Sequence, residues 1–289
     1  MRSRRAFLIT AAGAAGAVAG AAGLVEAGVI PGRARAHEVL GLTGEDGVVP
    51  EVPAGAVDSG TFKSAARRTT VGWSVIYPDR QRAELPVVLV LHGRGADHTS
   101  AINELGMDHF LAAAVSAGVP PFALATVDGG PDNYWHKRAS GDDPQRMLIE
   151  EFLPLLAKRG LRTSRFGVLG WSMGGYGALL LAADVKAPRV VAAGAMSPAL
   201  WHHAKDTTPG SYDGPADFEQ HRLFGRAADL EDIALRIDCG RDDPFAGATE
   251  DLRAEVRADG GLQAGLHTAG YWRRMLPDQL RFFGRKLSV

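Results

Sequence analysis

The feature that most constrains the chain is a short apolar run that ends in a glycine-flanked serine and leads into a second apolar run. The first run covers residues 166–169 and ends before Gly170. Ser172 follows, Gly174 comes two residues later, and residues 178–183 form the second run. This is the G-x-S-x-G pattern in the order strand, sharp turn, helix, in which glycines permit the strained backbone that exposes the hydroxyl. The stretch predicts a parallel α/β sheet with Ser172 as a candidate nucleophile; the alternative is a glycine-rich turn with an incidental serine.

Strand-like and helix-like patterns alternate along most of the chain, which specifies a mostly parallel central sheet with helices on both faces. Residues 60–64 and 70–78 instead show the alternation of half-buried strands, which predicts an N-terminal antiparallel hairpin. Predicted strands then cover residues 86–91, 122–127, 166–169, 190–195, 235–239 and 262–266. Predicted helices cover residues 107–117, 144–158 and 247–258, with one after Ser172 and a closing helix from about residue 275.

The N-terminus resembles a bacterial twin-arginine export signal. Arg4 and Arg5 precede a weakly hydrophobic Ala/Gly-rich run, and Ala34-Arg35-Ala36 supplies an A-x-A-like cleavage site. The alternative is a single membrane anchor, although Glu26 and the many glycines would make a poor spanning helix. We therefore expect a protein that is secreted or lies in the periplasm or cell wall, with membrane contact only through the signal.

These observations predict a signal peptide over residues 1–36, a Gly/Pro-containing linker over residues 37–57, and one catalytic domain over residues 58–289. The composition limits the classes of function. Lys and Arg number 32 and Asp and Glu number 33, so no basic excess indicates a nucleic-acid partner. Cys239 is the only cysteine, which excludes an intramolecular disulfide.

A nucleophilic serine needs a base and an orienting carboxylate, which in this architecture follow it in the order acid, then histidine. Asp242 and Asp243 follow the strand predicted at residues 235–239. We favour Asp243, which lies further into the loop, and keep Asp242 as the alternative acid; a turn or cap role is also open. His267 follows the last predicted strand and is the favoured base.

The adjacent His202 and His203 fall in a polar insertion. Neighbouring side chains point in different directions and the sequence offers no convergent third ligand, so we expect no metal site there.

An oxyanion hole should use two backbone N–H groups. Met173, directly after the serine, is one candidate, and Arg94 in the glycine-rich loop after the first buried strand is the other. Two insertions should face the same edge of the sheet and carry aromatic residues. Tyr134 and Trp135 in the first and Trp201 in the second are candidate substrate contacts, and a packing role is equally open for Tyr134 and Trp135.

Four stretches taken together, residues 91–95, 170–177, 239–245 and 267–272, resemble the putative-esterase family of α/β-hydrolases. That family includes S-formylglutathione hydrolase, enterochelin esterase, feruloyl esterases and the antigen 85 mycolyltransferases. The resemblance runs from about residue 60 to the C-terminus. It implies an α/β-hydrolase fold without a lid domain or a cofactor, and it implies Ser172 as nucleophile, Asp243 as acid and His267 as base.

The expected function is a secreted serine hydrolase that cleaves a small-molecule or envelope-lipid ester through an acyl-enzyme on Ser172. One alternative is a cell-envelope acyltransferase of the antigen 85 type, which would use the same three groups. The other is a non-catalytic wall-binding protein on a hydrolase fold, against which the complete serine, acid and histidine set counts.

Overall fold

The computed structural model describes residues 32–79 and 84–288, so most of the predicted export signal lies outside the described residues. Eight strands form one sheet in the order β1-β2-β4-β3-β5-β6-β7-β8. In chain order they are β1 Val57–Ser64, β2 Thr69–Ile76, β3 Pro86–Leu91, β4 Ala123–Val127, β5 Arg162–Trp171, β6 Val190–Met196, β7 Ala234–Gly240 and β8 Asp259–Gln263.

The described helices lie before the first strand, between the strands and after the last strand. They are α1 Arg33–Val39, α2 Ser100–Asn103, α3 Met107–Ser116, α4, α5 Met173–Val185, α6 Pro215–His221, α7 Ala246–Glu255 and α8 Ala269–Leu287. Helix α4 has three consecutive segments, which are α-helical Pro144–Arg146, π-helical Met147–Phe152 and α-helical Leu153–Lys158. Short 3₁₀ turns occur at Ala204–Asp206 and Ala227–Leu230. Within the described part of the chain, no helix is both long and apolar enough to cross a membrane.

The strand directions confirm the predicted fold class. The pairs β1–β2 and β2–β4 are antiparallel, and every pairing among β3 to β8 is parallel. Helices α4, α5 and α7 contribute to the core on one face of the sheet, and α3 and α8 contribute to the core on the other. Both faces are therefore covered, as expected when strands read as continuous apolar runs.

Strand β5 and helix α5 place Ser172 over the middle of the sheet. Strand β5 lies between β3 and β6, and every residue of β3 is buried. Helix α5 is buried from Met173 to Ala183, because its apolar residues continue around the whole helix and not along one stripe. A turn between two such buried elements is held rigidly from both sides.

Three predicted boundaries near the C-terminus were wrong. Strand β8 begins three residues earlier than predicted because Gly260 and Gly261, with φ of 87° and 156°, still pair in register with β7. Helix α8 begins at Ala269 and not at residue 275, because the Thr268 side chain caps it by accepting a hydrogen bond from the Tyr271 N–H. Helix α7 ends at Glu255 because Val256 is already extended.

The segment before β1 lies against the domain. Helix α1 spans the predicted cleavage position, and the His37 side chain is buried. Further on, the Gly47 N–H donates to the Gly270 carbonyl and His109 Nδ1 lies 2.7 Å from the Val52 carbonyl oxygen. The division of this segment into signal and linker stays a prediction.

Candidate active site

Ser172 occupies the turn between β5 and α5 in a backbone conformation that non-glycine residues rarely adopt, with φ 55° and ψ −120°. Its N–H donates to the Met196 carbonyl, and its carbonyl accepts from the Ala199 N–H, each at 3.0 Å. A methyl group on Gly170 would lie 2.1 Å from the Gly174 carbonyl oxygen, so the turn can close only with glycine at this position. The G-x-S-x-G spacing is thus explained by a close contact between strand and helix.

His267 lies beside the serine in the short loop between β8 and α8. Its Nε2 is 2.9 Å from the Ser172 hydroxyl oxygen. Phe245 and Trp272 contact the imidazole edge-on, with ring centroids 5.4 and 5.1 Å away. The His267 side chain keeps 25% of its surface exposed, so the ring is held on two sides while its reacting edge stays accessible.

Asp243 lies on the far side of the same imidazole. Its Oδ2 is 2.7 Å from His267 Nδ1, its Oδ1 accepts the Phe245 N–H at 2.8 Å, and its carboxylate is fully buried. Because an ionised carboxylate can only accept, Nδ1 carries the proton and Nε2 presents its lone pair to the serine hydroxyl. Such a chain can remove a proton from the hydroxyl and stabilise the resulting imidazolium.

Asp242, the alternative acid, points to a different part of the molecule. Its carboxylate lies 2.8 Å from His37 Nδ1 and 3.3 Å from Arg33 Nε, both in helix α1. The structure therefore brings Asp243, and not Asp242, to His267.

The glycine-rich loop after β3 lies next to the serine. A methyl group on Gly93 would come within 3.5 Å of Ser172 Cβ. The Gly95 N–H donates to the Pro131 carbonyl, and the Ala96 N–H donates to the Gly93 carbonyl. The Arg94 side chain is exposed. Met173 is the first residue of α5, where an N–H has no acceptor within its own helix. The loop and the start of α5 thus both border Ser172, and the oxyanion role of the Arg94 and Met173 amides stays a prediction.

His92 connects this loop to the insertion after β4. Its Nδ1 lies 2.8 Å from the Gly93 carbonyl oxygen, and its Nε2 accepts the Gly129 N–H at 3.0 Å. Burial lowers the pKa of His92, which keeps the ring neutral in the Nδ1–H tautomer that these contacts require. Its backbone carbonyl accepts the Trp135 indole N–H at 3.1 Å.

Trp135 is fully buried. Methyl groups on Gly129 and Gly177 would collide with its side chain at 2.3 and 2.5 Å, so the indole fills the space between the insertion and α5. Of the two roles open for Trp135, its burial favours packing over direct contact with a substrate.

Tyr134 and Trp201 meet in an aromatic cluster that extends to the catalytic candidates. Their rings lie 5.5 Å apart, Trp201 lies 5.3 Å from Phe245, and Phe245 contacts His267. Tyr212 lies 6.2 Å from Tyr134. Phe245 and Tyr212 were not predicted from the sequence. Phe245 was detectable because it follows Asp243 by two residues, whereas Tyr212 lies in a polar insertion without a recognisable pattern.

The fold and this geometry define an α/β-hydrolase with a serine, histidine and aspartate in contact. The model of the family described as "Putative esterase" matches residues 64–283. Since that is most of the chain, the protein belongs to this family and is a carboxylic ester hydrolase by class, as the sequence resemblance indicated.

Solved structures share the fold of this chain. A ferulic acid esterase superposes with a TM-score of 0.70 at 20% identity, covering 81% of this chain and 99% of that one. An S-formylglutathione hydrolase from Agrobacterium tumefaciens gives 0.66 at 16% identity, covering 82% and 98%. MPT51 of Mycobacterium tuberculosis gives 0.62 at 16% identity, covering 81% and 100%. At such low identity, the similarity establishes the shared fold. A comparison with curated proteins finds no match to this sequence.

Proposed function

We propose that the protein is an exported serine esterase in which Ser172 is the nucleophile, His267 the general base and Asp243 the orienting acid. The observation that carries this proposal is the continuous hydrogen-bonded chain, with 2.9 Å from serine to histidine and 2.7 Å from histidine to aspartate. Each distance is within the range for direct proton transfer or charge-assisted hydrogen bonding.

In the acylation step, the Ser172 oxygen bonds to the ester carbonyl carbon while its proton passes to His267 Nε2. The carbonyl oxygen becomes an oxyanion, for which the N–H groups of Met173 and Arg94 are the proposed donors. The carbon–oxygen bond to the alcohol then breaks, and the His267 proton leaves with the alcohol. Asp243 remains ionised throughout and stabilises the imidazolium.

Deacylation repeats these steps with water as the nucleophile, releasing the acid and restoring the serine hydroxyl. A sugar hydroxyl could replace water without any other change, which would make the protein an acyltransferase. We take hydrolysis as the function because membership in the esterase family supports it.

The aromatic cluster supports a proposal for the substrate's acyl side. Trp201 is partly exposed and joins Tyr134 to Phe245, which in turn contacts the base His267. An extended apolar or aromatic acyl group lying along these rings would bury its surface while its carbonyl reaches Ser172.

We also propose export by the twin-arginine route. N-terminal sequencing of the secreted form would test this, and a mature chain that retains Arg4 and Arg5 would contradict it.

The experiment is hydrolysis of a p-nitrophenyl ester series, from acetate to longer and aryl acyl groups, by the full chain and by Ser172→Ala. We expect kcat to fall by about 10⁶-fold in the variant, because the covalent path is lost. Ser164→Ala is the matched control, since Ser164 is exposed on the same strand β5. A folded Ser172→Ala protein with unchanged turnover would contradict the proposal.

A second arm separates hydrolysis from acyl transfer. The same ester is turned over with and without trehalose, and the products are identified by mass spectrometry. Free acid as the main product in both reactions is expected. Acyl-trehalose as the main product would replace hydrolase by acyltransferase while leaving the role of Ser172 intact.

A further inference from the structure

A second cluster of histidine and aspartate lies apart from the proposed catalytic residues. His136 belongs to the insertion after β4, whereas Asp217 and His221 lie one helical turn apart on α6. One potential ligand atom from each residue can be chosen so that all three lie within 4.8 Å of one another. The mechanism proposed above does not use any of the three.

Both nitrogens of the His136 ring face carbonyl oxygens, so a neutral ring points one lone pair at an oxygen. Its Nε2 lies 3.1 Å from the Ser211 carbonyl oxygen, to which a protonated Nε2 donates. Its Nδ1 then carries a lone pair that faces two oxygens, the Lys137 carbonyl at 3.1 Å and Asp217 Oδ1 at 3.9 Å. A proton or a metal ion at Nδ1 removes the repulsion between this lone pair and the two oxygens.

The hydrogen bond to Ser211 is also the arrangement that metal-binding histidines use. A ligating imidazole normally donates its other N–H to a carbonyl or carboxylate, which fixes the tautomer and orients the ring. His136 is fully buried and stacked between Tyr212 and His221, with ring centroids 5.1 and 4.4 Å away. Its donor nitrogen is therefore held in place before any ligand arrives.

Asp217 Oδ1 lies within reach of both histidines. His221 Nδ1 lies 2.9 Å from Asp217 Oδ1, and His136 Nδ1 lies 3.9 Å from the same oxygen. Ligand atoms about 2.0 Å from a tetrahedral zinc lie about 3.3 Å apart, which falls between these two distances. The Asp217 and His221 side chains are 15% and 13% exposed, so an ion can enter from the α6 side.

We propose that His136, Asp217 and His221 form a structural binding site for a divalent cation of the zinc type. Two imidazoles and one carboxylate favour Zn²⁺ over Mg²⁺ or Ca²⁺, which prefer oxygen ligands. Binding replaces the hydrogen bonds from His221 Nδ1 to the Asp217 carboxylate and backbone carbonyl by a bond to the metal. The Nδ1 proton passes to solvent and Nε2 takes one up, so the imidazole stays neutral and binds the metal as a neutral ligand. Water or the Lys137 carbonyl can take the fourth position.

Such an ion would join the insertion after β4 to helix α6. Tyr212 stacks on His136 and belongs to the same aromatic cluster as Tyr134. The Tyr176 hydroxyl donates to the His221 carbonyl at 2.8 Å and ties α6 to α5. The bound metal would thus fix the outer wall of the aromatic cluster without taking part in the reaction at Ser172.

The experiment measures Zn²⁺ binding by the full chain, purified without a polyhistidine tag and stripped with a chelator. Stoichiometry and affinity come from equilibrium dialysis with elemental analysis, and thermal unfolding is followed with and without Zn²⁺. We expect one Zn²⁺ per chain and a rise of about 5 °C in Tm at saturating metal. Mg²⁺ and Ca²⁺ at the same concentration should leave Tm unchanged.

His221→Gln and Asp217→Asn test the ligands with little change in shape, and His203→Gln is the control because His203 is exposed in the same insertion. Mutating a group that only hydrogen-bonds to a metal ligand typically weakens metal binding by about 10- to 100-fold. Loss of a direct ligand should therefore weaken Zn²⁺ binding by at least about tenfold. His203→Gln should bind as the unchanged protein does. Absence of Zn²⁺ binding, or equal binding in all three variants, would overturn the proposal. If one variant fails to fold, the other and the wild-type stoichiometry still decide it.

Discussion

Asp242 and Asp243 are neighbours in the chain, and each pairs with a histidine, but the two pairs lie in different surroundings. Asp243 contacts His267, whose other nitrogen faces Ser172. Asp242 contacts His37 on helix α1, where Arg33 also approaches its carboxylate. One pair therefore lies next to a hydroxyl that it can deprotonate, and the other joins the N-terminal segment to the domain.

The difference shows that the position of a carboxylate in a loop decides its role more than its residue type does. The backbone of Asp242 is tied to Gly265 and that of Asp243 to Gly240, so consecutive side chains leave the loop in different directions. A histidine–aspartate pair at hydrogen-bond distance is by itself insufficient for catalysis, because a nucleophile must lie on the other side of the imidazole.

The largest expected effect separates the two aspartates by activity. Asp243→Asn should lower kcat by about 10⁴-fold, because an amide cannot hold His267 in the tautomer that accepts the serine proton. Asp242→Asn should retain kcat within about twofold, since its carboxylate lies outside the hydrogen-bonded chain to Ser172. Steady-state kinetics on one ester measures both. A large loss in Asp242→Asn with little change in Asp243→Asn would reverse the assignment of the acid.

A smaller effect separates them by stability. Asp242→Asn should lower the free energy of unfolding by about 1–2 kcal/mol, because a nearly buried carboxylate loses its charge-assisted contact with His37. The control is Asp251→Asn, whose carboxylate is 65% exposed and pairs with His202 at the surface. Urea denaturation of the full chain, which retains helix α1, should show a loss in the first variant and almost none in the second. Equal stability of both variants would mean that the contact with α1 contributes nothing.

A comparable effect on stability, present only at alkaline pH, concerns the buried side of Asp243. Burial, followed by the negative charge of Asp243, raises the pKa of the Cys239 thiol from 9.0 to about 12. The unfolded chain loses this proton first, so the folded state should lose stability as the pH rises from about 9 towards 12, by about 1.4 kcal/mol per pH unit. Comparing unfolding free energies at pH 8 and pH 10 with those of Cys239→Ala isolates this contribution. If the unfolding free energy falls equally with pH in both proteins, the raised pKa of the buried Cys239 thiol is contradicted.

The sequence predicted the fold well because apolar periodicity determines where strands and helices lie. Strand β3 is a continuous apolar run and was predicted with its observed bounds. Strand β8 begins earlier than predicted, because Gly260 and Gly261 pair with β7. This tertiary pairing overrides the low strand propensity of the two glycines, which is all that the sequence shows. The start of α8 depends on a single side-chain cap at Thr268.

The site was predictable where chain order constrains it. Ser172 is marked by its glycines, and His267 by its place after the last strand. The choice between Asp242 and Asp243 depends on loop torsions that composition does not encode. The cluster of His136, Asp217 and His221 was beyond prediction because two separate insertions must fold against each other before the three side chains meet.

The most direct test of the central claim is covalent labelling by a fluorophosphonate, followed by peptide mass spectrometry to locate the adduct. We expect a single adduct on Ser172, formed at similar rates in the unchanged protein and in Asp242→Asn and far more slowly in Asp243→Asn. A folded protein that stays unlabelled, or an adduct on another residue, would contradict the claim that Ser172 is the nucleophile of this esterase.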